Sequence, residues 1–175
     1  MKRHLYLTLL SAAFIGGCSS ATPQLIRRAP ADDIRVADVQ QDPGQFNGTE
    51  VRWGGSIISV ENYKQDTLIE LLSRPLSSAG KPAFGKPGQG RFLVRVEGFL
   101  DPEEYPKGRL LTATGRVVGI IERPVGEFPY HYPVLGAKAY YLWPEELDHR
   151  YPYYRDPFFN PWHPWHPWYR QPYYW

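Results

Sequence analysis

Cysteine occurs once in the 175 residues, at Cys18, directly after Ile15-Gly16-Gly17. A single thiol has no disulfide partner in its own chain, so modification of the sulfur is the chemistry open to it, against a stray residue. Five histidines are present: His4, His131, His149, His163 and His166. His163 and His166 stand three apart, but no further cysteine or close carboxylate completes a tetrahedral ligand set. Gly85-Lys86-Pro87-Gly88-Gln89-Gly90 is glycine-rich but lacks the Gly-Lys-Ser/Thr that cradles phosphate and magnesium. It reads as a loop. The adjacent acids Asp32-Asp33, Glu103-Glu104 and Glu145-Glu146 would point to opposite faces of a strand, or favour the dipole of a helix start. None forms a general acid/base pair. No serine sits in a nucleophile-elbow pattern, and His131 is a weak candidate for a base. The expectation is no catalytic residue, no metal, no cofactor and no enzymatic activity.

The segment around Cys18 has three parts. Lys2 and Arg3 are a positive start, Leu5 to Ile15 is an apolar run of 11 residues, and Gly16-Gly17 precede the cysteine. An apolar run this short cannot cross a bilayer core, which takes about 20 helical residues. It suits a cleaved secretory signal. Ile15-Gly16-Gly17-Cys18 resembles the lipobox read by the lipoprotein signal peptidase, although Gly16 stands where Ala or Ser is commoner. That resemblance implies cleavage after residue 17, a diacylglycerol and palmitate anchor on Cys18, and outer-membrane lipid as partner. Several acyl chains anchor stably where one is marginal. Ser19 and Ser20 follow, without the Asp that resembles an inner-membrane retention signal. Sorting to the outer membrane, on its periplasmic face, is therefore expected. Removing Lys2 and Arg3 leaves 18 basic against 18 acidic residues. That balance argues against nucleic acid as a partner.

The elements that would position any site follow Cys18. Residues 18–33 read as a lipidated tether, polar and Pro-containing as far as Pro30. Ile34–Gln41 is a short amphipathic stretch of one or two helical turns. From Thr49 the period is two, the sign of half-buried strands. Thr49–Glu61 puts Val51 and Trp53 on one face and Glu50 and Arg52 on the other. Gly54-Gly55 marks a bulge or a sharp bend. Asn62–Gln65 reads as a hairpin loop. Asp66–Ser73 carries Leu68, Glu70 and Leu72 opposite Thr67, Ile69 and Leu71. Arg74–Gly90 is a long loop. Arg91–Glu97 turns Phe92, Val94 and Val96 inward and Arg91, Leu93 and Arg95 outward. Asp101–Tyr105 predicts one helical turn, with Asp at the N-cap and Pro after it. Arg109–Glu122 and Tyr130–Trp143 are the last strands, with a turn over Arg123–Phe128 and Pro133 marking an edge.

Five strands with a helical turn between the third and fourth match an OB-like antiparallel barrel. A flat sheet or half-open sandwich is the alternative. The barrel domain is expected over residues 34–148. A local echo runs through it: Asp42-Pro43 leads by Phe46 and Gly48 into one strand, and Asp101-Pro102 leads by Tyr105 and Gly108 into another. The aromatics could close a barrel end, and the glycines could take the positive φ that ends a helical turn.

Residues 149–175 change composition. Arg150–Trp175 holds 12 aromatics in 26 residues and no aliphatic residue. Pro161-Trp162-His163 recurs as Pro164-Trp165-His166 and then Pro167-Trp168. Proline at every third residue favours polyproline II, which would align Trp162, Trp165 and Trp168 as an interaction strip. Unspecific surface or membrane association, a ligand such as a cell-wall glycan, and no role are the readings of this tail.

Val51-Arg52-Trp53-Gly54-Gly55, Asp66-Thr67-Leu68-Ile69-Glu70, Gly90-Arg91-Phe92 and Gly98-Phe99-Leu100-Asp101-Pro102 together resemble the Slp family. Leu110-Leu111-Thr112-Ala113-Thr114-Gly115 and Tyr140-Tyr141-Leu142-Trp143 agree with it. These are outer-membrane lipoproteins of Gram-negative bacteria, named for starvation-inducible expression. The resemblance spans about Ile34 to Glu146 and carries over no catalytic residue. It implies an outer-membrane lipoprotein. The leading expectation is a non-enzymatic module on the periplasmic face that contributes to envelope maintenance under stress, in contact with an envelope protein or peptidoglycan. The alternatives are a ligand- or glycan-binding lipoprotein using the barrel face or the tail, and a hydrolase of envelope polymers.

Overall fold

Val51 and Trp53 do share a buried face, and a strand built on that alternation is the first wall of an all-β fold. The computed structural model describes residues 22–145. Three short helices come first among the described residues: α1 (Gln24–Arg27), α2 (Val36–Gln41) and α3 (Pro43–Phe46). Five strands follow: β1 (Glu50–Asn62), β2 (Asp66–Ser73), β3 (Arg91–Glu97), β4 (Leu110–Val125) and β5 (Phe128–Leu142). They close on themselves as a barrel in the order β1-β2-β3-β5-β4, which leaves no open edge between β4 and β1. The barrel belongs to the compact unit that ends at Trp143.

The expectation of a wholly antiparallel barrel needs correction. β3 and β5 run parallel, pairing Leu93 with Val134 and Arg95 with Gly136. The other four pairings are antiparallel. A crossover through the turn and β4 separates β3 from β5, and that is what a parallel pair requires.

Gly54 and Gly55 let β1 change partners. Glu50–Ser56 pairs with β4 and Gly55–Asn62 with β2. A Cβ on Gly55 would lie 1.9 Å from the Leu72 carbonyl oxygen. The glycines therefore serve close backbone approach at a bend, while the bulge itself falls between Ile57 and Ser59. Phe92, Val94 and Val96 join Val51, Trp53, Ile69, Leu71 and Leu135 in the barrel core. The Trp53 and Phe92 rings meet edge to face, centroids 5.3 Å apart. Val36 and Val39 of α2 are buried in the same core.

Both arms of the sequence echo reach this core. Phe46 and Tyr105 pack against it, and Gly48 and Gly108 take φ of 81° and 92°. Asp42 Oδ1 accepts from the Gln45 amide at 3.2 Å and caps α3. Asp101–Tyr105 forms the single turn expected, with Tyr105 N–H bonding the Asp101 carbonyl at 3.1 Å. Its single turn is not continued into a helix.

Two further expectations change. The predicted turn over Arg123–Phe128 shrinks to Gly126 and Glu127, between β4 and β5. Gly126, with φ 62°, permits so tight a reversal. Pro133 lies within β5 opposite Ile120, one residue before the parallel ladder begins at Val134. Residues 128–133 thus have β4 as their only strand neighbour, and a proline is tolerated on such an edge. Leu93 is not exposed. It is buried with Leu68, Tyr132 and Val134 in a second cluster, against Ile121, Val125 and Tyr130. The distal β4–β5 arm, beyond the register shift at Val117/Gly119, covers part of the outer face of β2 and β3.

Candidate functional site

An outward-pointing arginine ties the N-terminal segment to the barrel. The alternation that buries Val51 and Trp53 turns Arg52 to the outer face of β1. There its Nη1 donates to the carbonyls of Ile26 at 3.0 Å and Arg27 at 2.9 Å. Carbonyls at a helix C-terminus have no partner within the helix, so a guanidinium is a fitting cap. Ile26 is fully buried beneath it. Part of the stretch read as a tether is therefore packed onto the barrel.

Gly80 lies against the same turn. A Cβ there would stand 2.7 Å from the Ile26 carbonyl oxygen, and its φ of 86° suits only glycine. Its carbonyl accepts from Thr112 Oγ1 at 2.7 Å. The Thr112 hydroxyl in turn accepts from Trp143 Nε1 at 2.9 Å. Lys81 Nζ lies 5.9 Å from the Trp143 ring centroid. These bonds use buried polar groups that would otherwise be costly.

The chain then runs past the barrel mouth, where Trp53 Nε1 donates to the Ile34 carbonyl at 2.7 Å. Between this run and the loop after β2 lies a cleft of about 510 Å³, lined by Asp32, Asp33, Arg35, Arg74, Ser77 and Gln89 among others. Its charges are of both signs. Arg74 is committed to the loop, bonding the Lys86 carbonyl and Ser56 Oγ. Ser77 Oγ accepts from the Lys81 amide at 3.1 Å. These side chains build walls; among the described residues no histidine lines the cleft to activate a serine.

A second polar group lies on the outer face of β2 and β3. Glu70 Oε1 accepts from Arg91 at 2.8 Å and from the Tyr132 hydroxyl at 2.9 Å. Hydrogen bonding to Glu70 raises the Arg91 pKa. Burial and Glu70 raise that of Tyr132. At the tip of the arm, Arg123 donates to Glu61 and to the Tyr63 hydroxyl. Burial lowers the Arg123 pKa, and those two hydrogen bonds outweigh it. Each shift keeps its group in the form it already has at neutral pH, so none is poised as a base.

Cys18 and the strip Trp162, Trp165 and Trp168 lie outside the described residues. His131 is on the surface, 3.6 Å from Glu122, with both side chains more than half exposed. Gly85–Gly90 belongs to the loop between β2 and β3. Among the described residues no three His, Cys, Asp or Glu side chains gather as metal ligands. The contacts that sequence reasoning missed are those of Arg52, Gly80, Thr112 and Trp143. Arg52 is legible as outward-facing, but nothing local names its carbonyl partners 25 and 26 residues away.

A small closed barrel with its N-terminal segment strapped to the wall now stands beside the comparisons with known proteins. The family model described as "Outer membrane lipoprotein Slp family" matches residues 15–175. The "Outer membrane protein Slp" of Escherichia coli (strain K12) is 34% identical over 139 residues, covering 77% of this chain and 72% of that protein. The "Uncharacterized lipoprotein YeaY" of the same organism is 30% identical over 132 residues, 75% of this chain and 68% of that one. An "Uncharacterized protein" of Haemophilus influenzae is 36% identical over 103 residues, 58% and 56% of the two chains. The chain belongs to the Slp family of outer-membrane lipoproteins.

Proposed function

We propose that the protein is a non-enzymatic envelope module, held on the periplasmic face of the outer membrane by acylated Cys18, and that it contributes to envelope maintenance under stress. The observation that carries this reading is the docking of α1. Residues 24–27, a few positions after Cys18, are clamped by Arg52 with Ile26 buried. A domain strapped so close to its anchor is built to be held at the membrane. Contact with an envelope protein or with peptidoglycan belongs to the same reading.

The barrel itself is OB-like in this reading. Its ring order, its one parallel pair between β3 and β5 and its sharply bent first strand support that assignment. Residues 1–17 are the signal, the lipidated N-terminus follows, and the tail from about residue 149 is an appendage. Support for a role without catalysis comes from the cleft, whose Arg74 and Ser77 are engaged in holding the loop.

Replacing Cys18 by Ser tests the anchor. Palmitate labelling and outer-membrane fractionation of the Cys18→Ser protein are expected to fall to background. A variant that still labels and still pellets with outer membranes would overturn the reading.

A further inference from the structure

One outer face of the barrel receives both ends of the folded chain. Ile26, Gly80, Thr112 and Trp143 form a row there. Gly80 is in close contact with the Ile26 carbonyl, its own carbonyl accepts from Thr112, and Thr112 accepts from Trp143. Helix α1 and the last residue of the barrel unit are therefore neighbours. Four residues separate Cys18 from Pro23, the residue before α1. Fully extended, the five Cα-to-Cα steps reach about 18 Å. A bilayer holding Cys18 must lie within that reach of α1.

We infer that this face, with Leu25, Arg27 and Arg28 on the N-terminal side and Ser78 and Lys81 beside them, rests against the phospholipid surface. The inference depends on the acylation of Cys18 proposed above. Two observations point to lipid as the occupant. Leu25 is 47% exposed although its neighbour Ile26 is fully buried, so the turn shows an apolar side chain outward as well as inward. Arg27 and Arg28 are exposed beside it, and the first turn of α1 holds no acid. Cations near a membrane surface are drawn to anionic headgroups within a Debye length. The acids Asp32 and Asp33 line the adjoining cleft, which Ser78 borders, together with Arg35 and Arg74.

The opposite end of β1 has a different surface. Tyr63 and Phe99 are exposed there, joined through the Gly98 amide bonded to the Gln65 carbonyl. Arg123 of the β4–β5 arm reaches Tyr63, and exposed Phe128 is at the tip of that arm. This end faces away from the bilayer when α1 faces it.

The test uses the full-length acylated protein in vesicles of phosphatidylethanolamine and phosphatidylglycerol. With Cys18 acylated, one new cysteine is the only thiol to label. Leu25→Cys, Ser78→Cys, Phe99→Cys and Phe128→Cys are each labelled with a small fluorophore. Headgroup-spin-labelled lipid then serves as quencher. The labels at 25 and 78 are expected to lose at least half their emission, and those at 99 and 128 less than a tenth. Co-flotation with the vesicles is scored first. Failure to float refutes the anchor and removes the inference with it. Flotation with four equally quenched or four unquenched labels overturns the orientation alone. Cross-linking between molecules at 25 without quenching would mean that a second copy covers the face, and would overturn it too.

Discussion

Trp53 does two things with one side chain. Its ring packs on Phe92 in the barrel core, and its indole N–H holds the Ile34 carbonyl as the N-terminal segment enters α2. Removing a packed Trp or Phe costs about 3–5 kcal/mol, a large share of the roughly 5–15 kcal/mol a domain has. Trp53→Ala and Phe92→Ala are expected to lower the Tm of the domain by about 10 °C or more, since 1 kcal/mol shifts it by roughly 3–6 °C at a size between small and medium domains. Trp53→Phe should cost less but expose residues 29–35 to protease, as its ring remains and its donor goes. Melting curves and limited proteolysis check this. Unchanged Tm at both Ala variants would mean that the strand phases are inverted. Tyr105 offers a pH probe at the same scale. Burial first, and then Tyr140, push its pKa from 10.0 to about 12. The folded state thus favours the neutral phenol. The stability this contributes is full below pH 10 and is lost as pH rises through about 12. Tm should fall across that window, and Tyr105→Phe should flatten the fall. An identical pH profile in the variant would show that Tyr105 plays no part.

At the scale of elements, the β4–β5 arm is the instructive case. Its apolar residues Ile121, Val125 and Tyr130 cover Leu68 and Leu93, while its tip is latched by Arg123 to Glu61, with side chains 29% and 44% exposed. A pair this open contributes about 1 kcal/mol or less. Arg123→Ala is therefore expected to leave the global Tm within about 3 °C while speeding amide exchange in residues 119–133, a local opening. Unchanged exchange would show that the apolar contacts alone hold the arm down. The existence of all five strands is legible in the sequence and the alternation of the first three, and Asp66–Ser73 and Arg91–Glu97 agree with β2 and β3 at both ends. Turn residues bound both on each side. The β4–β5 boundary is misplaced in the sequence reading because Pro124 and Pro129 look like loop residues. Paired across a hairpin edge, as Pro124 is with Pro129, they do not interrupt it.

For the whole molecule, the compact unit closes at Trp143, six residues before the aromatic tail begins. A segment without Leu, Ile or Val cannot offset its own ordering entropy through a core. Soluble chains starting after Cys18 and ending at Arg150 or at Trp175 are expected to melt within about 2 °C of each other. The shorter should sediment less with lipid vesicles or purified peptidoglycan, because the broad amphipathic rings of Trp and Tyr contribute at interfaces. Loss of the folded state on truncation would make the tail part of the domain. Equal sedimentation would remove the case for an adhesive strip at Trp162, Trp165 and Trp168.

The residues by themselves determined what is local. The period-two phase that turns Val51, Trp53, Phe92, Val94 and Val96 inward and the positive-φ glycines after Phe46 and Tyr105 both depend on neighbours a few positions away. The tertiary structure alone decided which outward residues find a partner. Leu93 and Arg52 both read as solvent-facing from their strands, yet one is covered by the β4–β5 arm and the other caps α1. The parallel pairing of β3 with β5 is likewise absent from either segment. Alternation tells which side of a strand a side chain leaves from, but what folds over that side is set by chain closure between residues tens of positions apart.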